Sequence, residues 1–265
     1  MPTTRPGAHG ANPFEQARLA ARELLRVTGA ERFDALVVLG TGLAAAAPLL
    51  GADRPGIDLS TLPWFPRDAG QPEAWALPIG ATRALVVTGR VHLSQDPAGV
   101  VHLVRTAMAG GASIVVLVSS AMPLDQALGE GRVVAVGDHL NLSGSSPLSG
   151  VTPEQEPYVD LADAWSPRLR ALAREVDPQL ADVVYAQVAG PELPTPAEAR
   201  MLAALGAGVV GMSGVLEAVA ARHLGAEVLG LAVTTGRLVP EAVDAAATAA
   251  AEQVARLVTG VLDRC

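Results

Sequence analysis

Short, uniformly apolar runs separated by helical patterns constrain the fold of this chain more than any other feature. The run Ile114–Val118 has five consecutive apolar residues, and Ala35–Leu39 is another such run. Strands without a polar face are typical of sheets that are covered on both sides. Because helical segments alternate with these strands, we predict an α/β fold in which helices cover both faces of a central mixed β-sheet.

Helix boundaries are marked by proline in several places. Asn12-Pro13 predicts a helix start, and the apolar spacing continues to Val27. Further helices are predicted over Pro167–Val176 and, rich in alanine, over Pro240–Asp263. A helical stretch is also predicted between Gly42 and Leu50.

The composition favours one well-buried domain. Half of the 265 residues are hydrophobic, 17% are charged and the net charge is −8, which argues against a nucleic-acid-binding surface. The chain has no internal repeat, linker or change of composition. We therefore predict a flexible N-terminal tail over residues 1–12 and a single domain over residues 13–265.

Cysteine usage and hydropathy indicate the compartment. The single cysteine, Cys265, allows no intrachain disulfide, which fits a reducing cytoplasm. No apolar run approaches the length of a membrane span, and the N-terminus lacks the apolar core of a signal peptide. We therefore expect a cytoplasmic protein that does not bind membranes.

Polar turns are predicted after two of the apolar runs. Gly40-Thr41-Gly42 follows the first run, and Ser119-Ser120-Ala121 follows Ile114–Val118. Open α/β sheets bind ligands at the carboxyl ends of their strands, and a glycine-rich turn before a helix can bind an anion through backbone N–H groups. A tight strand-to-helix turn without a ligand is the alternative interpretation of the glycines.

Arg90 and His92 follow the predicted strand Arg83–Thr88. They are two residues apart, so on an extended chain they share a face. A guanidinium and an imidazole on one face suit a phosphate, although a surface arginine beside a half-buried histidine is equally consistent with the local sequence. The sequence contains no P-loop lysine motif, dinucleotide fingerprint, G-x-S-x-G motif or metal-ligand cluster, so we predict neither cofactor nor metal.

Several segments together resemble the trimeric class of purine nucleoside phosphorylases. They occur in the family's order and at near-family spacing, between about residues 13 and 262. The segments are Leu39-Gly40-Thr41-Gly42-Leu43, Gly89-Arg90-Val91-His92, Gly137-Asp138-His139-Leu140-Asn141-Leu142 with Ser146-Pro147-Leu148, Gly190-Pro191, Thr195-Pro196-Ala197-Glu198, Arg200-Met201-Leu202, Leu205-Gly206-Ala207, Gly211-Met212-Ser213 and Ala221-Arg222-His223.

This resemblance implies a phosphorylase/nucleosidase-like fold and a pentosyltransferase reaction. Inorganic phosphate, as co-substrate, would cleave the N-glycosidic bond of a purine (deoxy)nucleoside and give the free base and a pentose 1-phosphate. The resemblance implies a small nucleoside and phosphate as ligands. It also implies a homotrimer whose active sites lie near the subunit interfaces.

The family's phosphate-binding positions carry suitable residues here. A hydroxyl, a guanidinium, an imidazole and a second hydroxyl match the family, and one further residue would donate through its backbone N–H. These residues are Thr41, Arg90, His92, Ser213 and, through its backbone, Ser120. Near the ribose, Met212 matches the family's methionine, and Ser94 replaces a tyrosine.

The base pocket diverges from the family. Pro194 stands where the family has a purine-binding glutamate, Leu193 replaces an aromatic residue, and Gly236 aligns with the asparagine that stabilises the leaving base. Glu192 can substitute only if it swings into the pocket, and a solvent-facing position is the alternative. Losing both anchors predicts weak or altered base specificity, and no residue is assigned as catalytic.

Two functions remain open from the sequence. The first is a nucleoside phosphorylase, which the matching phosphate positions favour. The second is a non-catalytic paralogue that binds phosphate or pentose 1-phosphate, or that partners an active subunit. The replacements at Ser94, Pro194 and Gly236 favour the second.

Overall fold

One mixed sheet with helices on both faces organises the part of the chain that the structure describes. The computed structural model describes residues 12–66, 72–90, 96–149 and 158–265. The α/β fold with a covered central sheet is therefore confirmed. The tail expected over residues 1–12 lies outside the described residues except for Asn12, which caps the first helix.

The strands of this sheet are β1 (Ala35–Leu39), β2 (Ile57–Asp58), β3 (Glu73–Ile79), β4 (Thr82–Thr88), β5 (Ile114–Pro123), β6 (Val133–Leu142), β7 (Asp182–Val188), β8 (Val209–Gly211) and β9 (Glu227–Thr234). The helices are α1 (Pro13–Thr28), α2 (Pro97–Val100), α3 (His102–Ala109), α4 (Pro167–Val176), α5 (Pro196–Ala204), α6 (Val215–His223) and α7 (Pro240–Leu262).

The strand order brings four carboxyl ends to one edge of the sheet. The order is β2-β3-β4-β1-β5-β8-β7-β6-β9, and β9 also pairs with β5, so five strands close into a ring. β1 lies between β4 and β5 and is parallel to both, and β5 is parallel to β9. The segments that follow β1, β4 and β9 therefore leave the sheet on the same side, beside the carboxyl end of β5.

The core lies on both sides of the sheet, as the apolar runs predict. In β1, Leu36 and Val38 pack into one cluster with residues of α3 and α6, while Val37 and Leu39 pack into another cluster with residues of α4 and α7. All four side chains have no solvent exposure. Burial on two faces explains why the strand shows no polar alternation.

Side-chain caps fix the starts of several helices. The side chain of Asn12 accepts a hydrogen bond from the Phe14 N–H at the start of α1, and Pro13 occupies the first turn. At α5, Thr195 and Glu198 form a reciprocal capping box. These interactions involve residues three or fewer positions apart, which is why sequence patterns reveal them.

One local prediction holds only in part and another is wrong. The stretch between Gly42 and Leu50 is helical, but as two short 3₁₀ helices, Leu43–Ala46 and Pro48–Leu50, because Pro48 interrupts the helical pattern. Ser119-Ser120-Ala121 is not a turn but the continuation of β5. The strand keeps pairing with β9 as far as Ala121 opposite Thr234, although it leaves β1 after Val118.

Candidate functional site

A cavity of about 270 Å³ lies at the edge where β1 and β8 end and β5 runs past the end of β1. Its lining combines four residues that carry hydroxyl groups with five that carry no hydrogen-bonding side chain. The polar residues are Thr41, Ser119, Ser120 and Ser213, and the others are Gly40, Pro191, Met212, Leu238 and Val243. Residues that are more than 200 positions apart thus meet in one pocket.

The glycines beside Thr41 are required by close packing. A Cβ atom at Gly40 would lie 2.8 Å from the carbonyl oxygen of Val118, and one at Gly42 would lie 2.7 Å from Cγ1 of Val243. Gly42 also has a φ angle of +81°, which favours glycine. The turn therefore allows β5 and α7 to approach closely and places Thr41 at the cavity wall.

A buried guanidinium contacts two of the lining hydroxyls. Arg90 follows β4, and its side chain is only 1% exposed. Its Nη1 donates hydrogen bonds to Oγ of Ser119 at 2.6 Å and to Oγ of Ser213 at 2.8 Å. A cation held against the hydroxyl side of a pocket gives that side an affinity for anions.

A buried carboxylate compensates the charge of Arg90. Oε1 of Glu217 lies 3.0 Å from Nε of Arg90, and Oε2 accepts a hydrogen bond from the Gly214 N–H at 2.7 Å. Burial raises the pKa of Glu217, and the neighbouring Arg90 and Gly214 N–H oppose that rise only in part. The ion pair and the cap together tie β4 to the start of α6.

A buried tyrosine packs against the same cluster. Burial raises the pKa of Tyr185 to about 12, and Arg90 and Ser213 oppose the rise. The Tyr185 hydroxyl lies against the backbone of Gly211, where a Cβ atom would overlap it. Glycine at position 211 is therefore needed for space, and β7 and β8 are fixed relative to the cavity.

Comparison with known proteins decides the family. A family model described as the phosphorylase superfamily matches residues 34–263. The chain belongs to the phosphorylase superfamily.

Among curated relatives, the purine nucleoside phosphorylase of Mycobacterium tuberculosis is 48% identical over 229 residues, which cover 84% of both chains. The purine nucleoside phosphorylase of Mycobacterium leprae is 43% identical and covers 96% of this chain and 97% of its own. A solved schistosome purine nucleoside phosphorylase in complex with hypoxanthine superposes with a TM-score of 0.87 at 25% identity, covering 96% of this chain and 99% of that one. The resemblance to purine nucleoside phosphorylases, and the fold it implies, are thereby confirmed.

The structure of this phosphorylase-superfamily chain brings most of the residues predicted for phosphate and ribose into one place. Thr41, Ser120, Met212 and Ser213 line the cavity, and Arg90 lies behind its hydroxyl side. His92 and Ser94, which the sequence assigns to phosphate and ribose, lie outside the described residues.

The residues assigned to the base pocket lie elsewhere. Glu192, Leu193 and Pro194 line a second cavity of about 300 Å³, which Gly190 also lines, whereas the adjacent Pro191 lines the first. Gly236 faces Glu130, whose carboxylate occupies the space that a Cβ atom at position 236 would need. None of the four residues is among the described residues that line the first cavity.

Sequence reasoning missed three members of the site. The hydroxyl of Ser119, the carboxylate of Glu217 and the phenol of Tyr185 all lie in the buried cluster around Arg90. Glu217 occupies the third position of a helix, where a glutamate commonly accepts a hydrogen bond from the backbone at the helix start, so this capping role could have been predicted from the sequence. Nothing in the sequence indicates which of two adjacent serines faces Arg90.

The described residues show no arrangement that suits a metal or a membrane span. No group of three or more His, Cys, Asp or Glu side chains within those ranges is placed to hold a metal ion. No helix in the same ranges is long and apolar enough to cross a bilayer.

Proposed function

We propose that this protein is a nucleoside phosphorylase that uses inorganic phosphate to cleave the N-glycosidic bond of a (deoxy)nucleoside. The observation that carries the proposal is the buried guanidinium of Arg90 bonded to two hydroxyls at the wall of a cavity. The curated relatives named purine nucleoside phosphorylase support it. The products are the free base and a pentose 1-phosphate.

The polar side of the cavity is the proposed phosphate site. Thr41 and Ser213 contribute hydroxyls, and Arg90 contributes charge without entering the cavity lining. Ser120 contributes its backbone N–H, since it lies beyond the point where β5 leaves β1. His92 completes the set by resemblance. These groups would hold the anion in line with the sugar, which lowers the entropic cost of attack.

In the proposed reaction an oxygen of phosphate forms a bond to the anomeric carbon while the C–N bond breaks. The electron pair of that bond goes to the base, and the proton carried by the attacking hydrogen phosphate ends on the base. The pentose passes through an oxocarbenium-like state between two anions, and Met212 lies beneath it. The protein accelerates this step by fixing the attacking anion and by stabilising charge on the leaving base.

Weak or altered base specificity is part of the proposal. Among the described residues that line the cavity, none carries a carboxylate or a carboxamide, and the lining includes the apolar side chains of Pro191, Leu238 and Val243. An apolar pocket discriminates poorly between related bases. Loss of a donor that acts on developing charge lowers the rate by a factor on the order of 10²–10³.

A second candidate is a non-catalytic paralogue that binds phosphate or pentose 1-phosphate, or that partners an active subunit. The positions of Pro194 and Gly236 favour it, because proline and glycine offer no side-chain acceptor for a purine. Under either function we propose a cytoplasmic homotrimer that needs no cofactor and binds no nucleic acid or membrane. Sedimentation analysis of the purified chain tests the trimer.

The test is phosphate-dependent release of free base from inosine, guanosine and adenosine at high protein concentration. We expect slow release from at least one nucleoside, with turnover that depends on phosphate and disappears in Arg90→Ala. The matched control is Arg54→Ala, because the side chain of Arg54 is 87% exposed and does not line the cavity. The control should retain wild-type turnover.

Three outcomes separate the candidates. Turnover of any nucleoside excludes the non-catalytic paralogue. Calorimetric binding of phosphate or pentose 1-phosphate without turnover excludes the enzyme and supports the paralogue. Absence of both turnover and phosphate binding contradicts the phosphate site itself.

A further inference from the structure

Two serine hydroxyls at the cavity wall accept hydrogen bonds from the same nitrogen of Arg90. Each hydroxyl proton is therefore available to a different acceptor. Nη1 of Arg90 donates to Oγ of Ser119 and to Oγ of Ser213. A serine hydroxyl has one proton and two lone pairs. Because each oxygen accepts from Arg90, each hydroxyl keeps its proton for another acceptor, and both residues line the cavity. For Ser213 the neighbouring Tyr185 oxygen is one such acceptor.

The neighbouring Ser120 behaves differently. Its Oγ donates to the carbonyl oxygen of Thr41 at 3.2 Å. The hydroxyl proton of Ser120 is therefore directed to the protein backbone, and only its backbone N–H is proposed for phosphate. Two adjacent serines thus offer an anion different groups, Ser119 its side chain and Ser120 its main chain.

The orientation of Arg90 is fixed from the opposite edge of its guanidinium. Nε faces Oε1 of Glu217 at 3.0 Å, and the two side chains are 1% and 4% exposed. The other oxygen of Glu217 holds the Gly214 N–H, next to Ser213. A buried guanidinium polarises the hydroxyls that accept from it, which strengthens them as donors to an anion.

We propose that Ser119 is a further phosphate-binding residue, whose hydroxyl is oriented by Arg90 and donates to a phosphate oxygen. Glu217 is a positioning residue that fixes both Arg90 and the backbone beside Ser213. This inference rests on the proposed function and deepens it, since it adds one donor to the phosphate site and a support behind it. No covalent step is added.

The experiment measures the affinity of the full-length chain for inorganic phosphate by calorimetry. We expect Ser119→Ala to weaken phosphate binding about tenfold or more, because it removes a hydrogen bond to a charged ligand. Ser119→Thr keeps the hydroxyl and should restore binding to within about threefold of wild type. The matched control is Ser113→Ala, an exposed serine just before the other end of β5, which should bind phosphate as wild type does.

Each result decides the inference. Unchanged phosphate affinity in Ser119→Ala, with or without a lower Tm, overturns the role of Ser119 and leaves the proposed function standing. Wild-type protein that binds no phosphate overturns both. Where a nucleoside is turned over, Ser119→Ala should raise KM for phosphate and leave kcat nearly unchanged, a split that a purely structural role would not give.

Glu217→Gln tests the positioning role separately. The substitution adds net positive charge to the site, so attraction alone would tighten phosphate binding. We expect weaker binding instead, by about threefold or more, because the carboxamide oxygen can accept from Arg90 or from the Gly214 N–H but not from both. Tighter or unchanged binding would overturn the positioning role of Glu217, and the Ser119 variants remain informative if Glu217→Gln does not fold.

Discussion

The two cavities beside the Gly190-Pro191 segment differ in how their polar groups are held. On the phosphate side, Arg90, Glu217 and two serines form a buried network in which most of the polar groups have partners. On the other side, Glu192 is exposed and Pro194 offers no side-chain hydrogen bond. The proposed anion site is therefore held by a buried network, whereas the positions that the resemblance assigns to the purine carry no such network.

This difference indicates which property each side controls. A pre-organised buried network binds its ligand without reorganisation, and breaking the network lowers the free energy of unfolding strongly. An apolar or solvated pocket tolerates substitution and discriminates weakly. We therefore expect phosphate binding to be sensitive to mutation and base selection to be adjustable.

The largest effect should follow removal of the buried carboxylate. Glu217→Ala leaves the Arg90 charge unpaired in the interior and should lower the free energy of unfolding by about 3–5 kcal/mol. The matched control is Glu175→Ala, which breaks the ion pair to Arg264, where both side chains are more than a third exposed. The control should lose about 1 kcal/mol or less in urea unfolding. Equal losses in the two variants would show that the buried network stabilises the fold no more than an exposed ion pair does.

A somewhat smaller effect should follow overpacking beside Tyr185. Gly211→Ala places a methyl group against the Tyr185 hydroxyl and should cost about 1–3 kcal/mol in the free energy of unfolding. The double variant Gly211→Ala, Tyr185→Phe removes the overlapping oxygen and should recover part of the loss. A double variant no more stable than Gly211→Ala would place the strain elsewhere.

The base side should respond in activity more than in stability. The resemblance assigns positions 194 and 236 to the base, whereas the structure places both outside the first cavity. If the bound nucleoside reaches them, Pro194→Glu with Gly236→Asn should raise purine nucleoside turnover about tenfold, because the pair restores an acceptor and a donor for the base. Asparagine at position 236 requires Glu130 to move, which is cheap for an exposed side chain, so unfolding should change by less than about 1 kcal/mol. The single variant Gly236→Asn is the control. A folded double variant without added turnover would show that position 194 does not face the base.

The smallest effect should come from the second serine of β5. Ser120→Ala keeps the backbone N–H and removes only a hydroxyl that donates to Thr41, so phosphate affinity should fall by less than about threefold. Calorimetry should measure the phosphate affinity of Ser120→Ala and Ser119→Ala side by side. A loss in Ser120→Ala as large as that in Ser119→Ala would remove the distinction between the two residues.

Much of the fold could be predicted because its signals are local. The predicted helix Pro167–Val176 has the bounds of α4, since Ser166 caps its first turn through a bond to Leu169 three residues away. The unbroken apolar run of Ala35–Leu39 marked a strand buried on two faces. The same rules were wrong at Ser119–Ala121, because the pairing that extends β5 is made with β9, more than 100 residues later.

The candidate site was predictable only in part. Thr41, Arg90 and Ser213 were identified by resemblance, and the structure places them around one cavity. Ser119 and Glu217 could not be identified, because their roles depend on where Arg90 lies after folding. The position of Pro194 in a separate cavity likewise depends on the path of the Gly190-Pro191 segment through three dimensions.

The sequence by itself determined the class of fold, the family and most of the helix and strand boundaries. These follow from apolar periodicity, capping residues and short motifs, which act between neighbours along the chain. Only the tertiary structure decided that Arg90 hydrogen-bonds Ser213, 123 positions away, and forms an ion pair with Glu217. Such contacts depend on strand register and packing, since burial of a charge is tolerated only where the folded chain supplies its partner.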